Sequence, residues 1–332
     1  MKKIKVAQIG TSRYSHGTPV WKRLNRHNDL YEVVGYSFPE NEREKVPEFM
    51  HYFDGYREMT VEEILNDPEI EAVVVETEEI YLTKYALMVA KAGKHLHMEK
   101  PGGIELEAFR ELIDTMKEKK LTFTTGYMYR FNPEIIKALD RIERGELGRI
   151  YSVEAHMSCK QTAELREWLS CFPDGMMFYL GCHLIDLIYR IMGEPEQVVR
   201  LSCSTGIDGI DTVDCGMVAF KYPDGVAFAK TGANERGGFL RRQLVICGEL
   251  GTIEIKPLEV LCQDKLQYTV SSQNRAEDGR VPWEVTQTEP YDRYDAMIRN
   301  FGEIIRGKKN PYSYDYELGL YELIQKSCGR EI

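Results

Sequence analysis

IKVAQIGTSRYSHG, residues 4–17, is the stretch that decides the fold. Ile4–Ile9 is short and apolar, as a buried strand requires, Gly10 permits a tight turn, and a helical pattern follows from Thr18 to Arg26. A strand that turns straight into a helix N-terminus is where the pyrophosphate of a dinucleotide docks, because unpaired backbone N–H groups and the helix dipole both favour an anion there. Ser12 and Ser15 stand at the second and third glycine positions of the usual fingerprint, with Gly17 just beyond. A serine hydroxyl can donate to phosphate, so Gly10, Ser12 and Ser15 are expected to contact the cofactor.

Outward from this turn, strand and helix patterns alternate up to about residue 125. Strands are expected at Ile4–Ile9, Glu32–Ser37, Ala72–Glu76, His95–Glu99 and Thr122–Gly126, and helices near Thr18–Arg26, Val61–Leu65, Ile80–Ala92 and Leu106–Lys119. Continuous apolar runs such as AVVV (72–75) fit strands covered on both faces, hence a parallel sheet. Gly93 reads as a helix C-cap. After a further helix at Pro133–Arg144 the grammar changes to longer alternating segments, among them IYSVEAHMS (150–158), VDCGMVAFKY (213–222) and GVAFAKTG (225–232), with a helix at about Met177–Met192 and two more between Asp292 and Cys328. The expected fold is therefore an α/β Rossmann-type dinucleotide-binding domain over 1–125, followed by an α+β domain over 126–332 built on a large, mostly antiparallel open sheet.

Composition excludes several partners. The net charge of −10 repels phosphate backbones and anionic lipid, and no run gathers five or more basic residues, so no nucleic acid is expected to bind. No apolar run nears the roughly 20 residues that span a bilayer, and the basic start MKKIKVAQIG lacks a cleavage site, so the reading is a cytoplasmic protein without membrane contact. The eight cysteines form no C-x-x-C pair and read as small, mostly buried apolar residues. His95 and His97 share one strand face but lack a third ligand, so no metal site is expected.

At HLHMEKPGG (95–103) the chain resembles the Gfo/Idh/MocA family of sugar and polyol oxidoreductases, and the likeness continues in GYMYRFNPEI (126–135), ELGRIYSV (146–153), GCHLIDLIYRIMGEP (181–195), CGELGTIEI (247–255) and ELGLYELIQKSC (317–328). The resemblance implies that Lys100 and His183 sit at the substrate, beside the nicotinamide. Oxidising a secondary alcohol needs a base near neutrality, which suits His183, while the Lys100 ammonium would favour the developing alkoxide. Asp186, three residues on, either orients the imidazole or serves packing. The family commonly has an acid four residues before this histidine, where this chain has Tyr179, whose hydroxyl would relay a proton or grip substrate. The segment TEEIYL (77–82) also departs from the family, with Glu78 in place of proline and Leu82 in place of histidine.

Cofactor contacts are accordingly expected from Gly10, Ser12, Ser15, Ser37, Thr77, Glu99 and Lys100. No Asp ends the second strand, which leaves the adenine ribose to Ser37 or Glu40; the negative charge there favours NAD, with NADP not excluded. Substrate contacts are expected from Tyr129, Arg130, His156 and Arg241 or Arg242, with Tyr127 and Asn132 nearby; Arg130 and Asn132 could equally cap the helix at Pro133. The leading reading is an NAD(P)-dependent dehydrogenase of a secondary hydroxyl on a sugar, polyol or glycoside. Two others stay open: a non-catalytic nucleotide- or sugar-binding regulator, and a glycoside-processing enzyme that recycles bound NAD. A homodimer or homotetramer is expected, because an open antiparallel sheet leaves a face to cover.

Overall fold

Short β-branched runs separated by amphipathic helices produce a parallel sheet in the first part of the chain, as the pattern requires. The computed structural model describes residues Lys2–Ile332. Its strands β1 (Ile4–Ile9), β2 (Tyr31–Ser37), β3 (Arg57–Glu58), β4 (Ala72–Val75), β5 (His95–Met98) and β6 (Phe123–Thr125) form one sheet in the order β3-β2-β1-β4-β5-β6, with every pairing parallel. The order reverses direction between β1 and β4, which opens a crevice at the C-terminal strand ends. Helices α1 (Gly17–Arg26), α2 (Glu42–Lys45), α3 (Val61–Asn66), α4 (Leu82–Lys91) and α5 (Leu106–Glu118) connect the strands. All four residues of β4 are fully buried, which explains its unbroken apolar run. Gly93 has φ +76° just past α4, as a C-cap needs. Beneath β2, Trp21 packs with Tyr36 and Phe53 in a small aromatic cluster, and its indole N–H donates to the Tyr52 carbonyl at 3.0 Å.

The second unit, Met128–Arg293 with Glu322–Ile332, is built on an eight-stranded sheet. Helices α6 (Pro133–Glu143), α7 (Ala163–Trp168) and α8 (Cys182–Met192) belong to it, as do strands β7 (Ile150–Ser158), β8 (Gln197–Ser204), β9 (Val213–Tyr222), β10 (Gly225–Gly232), β11 (Gln243–Gly248), β12 (Gly251–Ile255), the small pair β13 (Val260–Leu261) and β14 (Gln267–Tyr268), β15 (Val270–Asn274) and β16 (Glu284–Gln287). The large sheet runs β16-β15-β12-β11-β7-β10-β9-β8, antiparallel except for β7 with β10. Helix α8 packs on β7 and β10, whose buried Val153, Ala155, Met157, Ala227 and Ala229 alternate along the strands. The opposite face carries the exposed apolar side chains Val199, Leu201, Val226 and Val285.

Helices α9 (Asp295–Ile305) and α10 (Tyr314–Ser327) end the chain, and residues Tyr294–Tyr321 group with the first unit rather than the second. The division thus differs from a single cut after residue 125. Its cause is long-range packing: the Tyr31 hydroxyl donates to the Ile298 carbonyl at 2.6 Å, and the Tyr321 ring stacks on Phe109 at 4.0 Å.

Candidate active site

In the first unit the turn after β1 is held from several sides. Gly10 has φ +89°, and a Cβ there would fall 2.5 Å from the Thr77 backbone nitrogen, so only glycine fits. Gly17 is similarly tight: its Cβ would lie 2.9 Å from the Thr11 Cα. The two serines hydrogen-bond within and beside the loop. Ser12 Oγ accepts the Ser15 N–H at 3.1 Å, while the Ser15 hydroxyl donates to the Glu76 carbonyl at 3.0 Å and is also within 3.2 Å of the Ser12 carbonyl. They brace the loop where glycines would simply bend.

Carboxylates complete the bracing. Glu42 on α2 accepts the Thr11 N–H at 3.0 Å, and Glu99 beyond β5 accepts the His16 N–H at 3.0 Å and the Lys100 N–H at 2.8 Å. Burial alone would raise the Glu99 carboxyl, but the His16 imidazole and the Lys100 ammonium outweigh it and hold it at about 2. Burial pushes Glu42 up to about 8 despite the amide it accepts. Glu76, at the end of β4, is raised well above the carboxylate range by burial and by Glu99 beside it. Burial also pushes Glu79 up to about 8, against the pull of Lys100. None of Glu42, Glu76, Glu79, Glu99 and Lys100 is more than 2% exposed.

These residues fit a dinucleotide. The glycine cradle admits close backbone approach, and the Thr77 hydroxyl, fully buried at the crevice, meets no hydrogen-bond partner among the described residues. Ser37 lies at the end of β2, its carbonyl accepting the Gly10 N–H at 2.8 Å. Glu40 is drawn toward α4, accepting from Tyr85 and Lys84 at 2.7 Å each. The Lys100–Pro101 peptide bond is cis. His95 and His97 are spent within the sheet, on the Thr122 N–H and the Thr124 hydroxyl at 2.9 and 2.8 Å, and no group of three metal-ligating side chains exists among the described residues.

In the second unit His183, 1% exposed, lies in the first turn of α8. The Tyr129 ring meets it edge-on at 5.2 Å, and the Tyr129 hydroxyl donates to Glu259. Two guanidiniums share that carboxylate: Arg242 at 2.6 Å and Arg293 at 2.9 Å. Burial raises Glu259, but Arg293 and Arg242 more than reverse this, so it stays ionised. Of the adjacent arginines, Arg242 is the buried one; Arg241, the expected substrate residue, is 60% exposed and pairs with Glu235.

The other expected residues of this unit are placed as follows. The Arg130 guanidinium meets Asp186 with contacts of 2.7, 3.0 and 3.1 Å and both side chains are buried, so it fixes α8 through that carboxylate. Asn132 takes the capping role, its Oδ1 accepting from the first turn of α6 at 3.0 and 3.4 Å. His156 stands in register with Lys230 and Gln243, and through Lys230 with Met217 and Leu201, on the sheet face away from α8. There it meets Ser158 at 2.9 Å and Glu235 at 3.2 Å. Tyr179 belongs to a π-helical turn, Met177–Gly181, that precedes α8. The i to i+5 bonding of that turn departs from the α-helical geometry assumed in pairing Tyr179 with His183, and its ring packs edge-on against Trp168 at 5.4 Å.

Sequence reasoning did not single out His16, Glu42, Glu76, Glu79, Glu259 or Arg293. The acids ETEE (76–79), directly after a buried strand, were the available signal.

Two family models match the chain: "Oxidoreductase family, NAD-binding Rossmann fold" over residues 4–127 and "GFO/IDH/MocA C-terminal domain" over 135–254. An Escherichia coli oxidoreductase, YhhX, is 32% identical over 176 residues, 53% of this chain; the chain spans half (50%) of that relative's length. The scyllo-inositol 2-dehydrogenase (NAD(+)) of Bacillus subtilis is 23% identical over 77% of this chain and 73% of its own. An aldose-aldose oxidoreductase from Caulobacter crescentus, solved with glycerol, shares the fold with a TM-score of 0.80 at 17% identity, covering 99% of both chains.

Proposed function

Given that the chain belongs to the GFO/IDH/MocA oxidoreductase family, with residues 4–127 as its NAD-binding Rossmann domain, we propose that it oxidises a secondary hydroxyl of a sugar, polyol or glycoside, or reduces the corresponding ketone. The observation that carries this reading is Lys100: a lysine only 2% exposed, just past the C-terminal end of β5 among buried carboxyls. Lysines are almost never fully buried without a purpose for the charge. The inositol and aldose specificities of two relatives support the substrate class.

The dinucleotide, when bound, supplies the hydride acceptor or donor at its nicotinamide ring. Gly10, Thr77, Ser37 and the backbone of residues 11–16 would hold it, and Glu99 keeps that loop in place through His16. The Lys100 ammonium donates a hydrogen bond to the reacting oxygen and favours its alkoxide character. A ring nitrogen of His183 takes the hydroxyl proton in oxidation and returns it in reduction. Arg130 holds the α8 helix through Asp186, and Arg242, Tyr129 and Glu259 shape the pocket wall beside His183.

The test is spectrophotometric: purified protein with NAD and a panel of sugars, polyols and glycosides, read at the reduced-nicotinamide band. Turnover of free cofactor with one of them is the expected result. A fixed, one-to-one absorbance that never exchanges with added cofactor would point to recycled NAD, and no change at all with any substrate in either direction would overturn the dehydrogenase reading. The exposed apolar row Val199, Leu201, Val226 and Val285 supports a homodimer or homotetramer, which light scattering would measure.

A further inference from the structure

The ends of β4 and β5 hold more acid than the reaction above uses. Val75 pairs with Met98, so Glu76 and Thr77 stand beside Glu99 and Lys100, and the single helical turn Glu79–Tyr81 adds Glu79. Glu99 is matched by His16 and Lys100. Glu79 has no such match: it is 1% exposed and neither carboxyl oxygen meets a hydrogen-bond partner on another described residue, which holds also for Glu76, the neighbour of Glu99. The buried Thr77 hydroxyl close by is unpartnered as well. Buried polar groups are seldom left so, and three of them at one strand edge, Glu76, Thr77 and Glu79, point to a ligand group that the chain does not itself supply.

In a doubly wound sheet the two halves of a dinucleotide lie on either side of the switch point, one over β1 and β2 and the other over β4 and β5. The acid-lined half is thus the nicotinamide half. Oxidised and reduced dinucleotide differ there by one charge, the positive ring of the oxidised form, and share the same pyrophosphate. We propose that Glu79 is the counter-charge of this half-site: it releases its proton to solvent when the oxidised, cationic ring binds and keeps it when the neutral, reduced ring binds. The domain then prefers oxidised over reduced cofactor increasingly as pH rises. This inference rests on the reading of residues 4–127 as a nicotinamide dinucleotide site.

The groups that face Glu79 are Glu76 from the end of β4, Glu99 and Lys100 from the end of β5, and Glu78 on its own turn. Burial keeps Glu79 protonated up to about 8, whereas Lys100 alone would ionise it. One added positive charge in a water-poor site is enough to tip such a carboxyl.

Calorimetric titration of the full chain at pH 8, in two buffers of different ionisation enthalpy, counts the protons released on binding. With NAD+ about half a proton should leave, and with NADH none. In Glu79→Gln, NAD+ should still bind but the release should vanish. In the unaltered protein the affinity ratio of NAD+ to NADH should grow roughly five- to ten-fold from pH 7 to pH 9. Equal proton release with both cofactors, or a release unchanged in Glu79→Gln, would overturn the proposal while leaving the cofactor site intact. Absence of binding by either cofactor would instead remove the nicotinamide reading, and this inference with it.

Discussion

Nδ1 of His16 lies 2.7 Å from Oε2 of Glu99, joining the loop after the first strand to the segment that carries Lys100. The pairing spans 83 residues of sequence, and the same carboxylate oxygen accepts the His16 backbone N–H. Because Glu99 sits at about 2 in the folded chain and near 4.5 when unpaired, its stabilisation is present above pH 4.5 and is lost as pH falls toward 2. Thermal melts between pH 2 and 6 should show this slope in the native protein and a flatter one in Glu99→Gln. At pH 7, His16→Ala should lower stability to urea by roughly 1.5–3 kcal/mol, the worth of a hydrogen bond to a charged group. Identical slopes in both proteins would mean that the pair does not hold in solution.

Lys100→Ala and His183→Ala should each reduce turnover by roughly 100- to 10,000-fold, and His183→Ala should do so while changing NAD affinity little. Steady-state kinetics on the best substrate of the panel, beside calorimetry, separates the two effects. Full activity in His183→Ala would end the proposed acid–base role.

Tyr179→Phe should lower turnover about tenfold, or roughly 1.4 kcal/mol, if the phenol touches substrate or proton. An unchanged rate would assign Tyr179 to packing against Trp168 in the π-turn.

Arg130→Ala should destabilise the protein by about 3–5 kcal/mol in urea unfolding, because it strands the Asp186 carboxylate in the interior. The double variant with Asp186→Ala should lose less than the two single losses combined. A pure loss of substrate affinity with unchanged stability would return Arg130 to the pocket.

The Glu79 carboxyl has the opposite sign from Glu99. It ionises near 4.5 in the unfolded chain and about 8 in the folded one, so its contribution is present below pH 4.5 and is lost as pH rises to 8. The melting temperature of Glu79→Gln relative to the native protein should therefore climb from pH 5 to pH 8. A constant difference would show that Glu79 reaches water.

The strands and helices of the first unit were legible because burial on both faces writes itself into runs such as AVVV, and Gly10 because its conformation excludes a side chain. The alternation that gave the antiparallel sheet is equally local. What escaped was decided by partners far away in sequence. A glutamate reads as a solvated charge; the place of ETEE directly after a buried strand is the one local sign for Glu76 and Glu79, and nothing near Glu42 announces that the chain folds over it. Arg241 and Arg242 are neighbours of one chemical type; only their place just before β11, where direction alternates, sends one to Glu259 and the other to solvent. Of the serines at glycine positions, Ser15 donates to the Glu76 carbonyl across 61 residues of sequence, a bond that no local pattern announces.

The aromatic cluster under β2 also makes the first unit optically separable. Among the protein's three tryptophans, Trp21 is enclosed with Tyr36 and Phe53, Trp168 touches Tyr179, and Trp283 is 43% exposed. A chain retaining Trp21 alone would emit from beneath the adenosine side of the nucleotide crevice, and one retaining Trp168 alone from the neighbourhood of the π-turn. Fluorescence from two single-tryptophan proteins would then time the arrival of cofactor and of the proposed substrate as separate events in the same molecule.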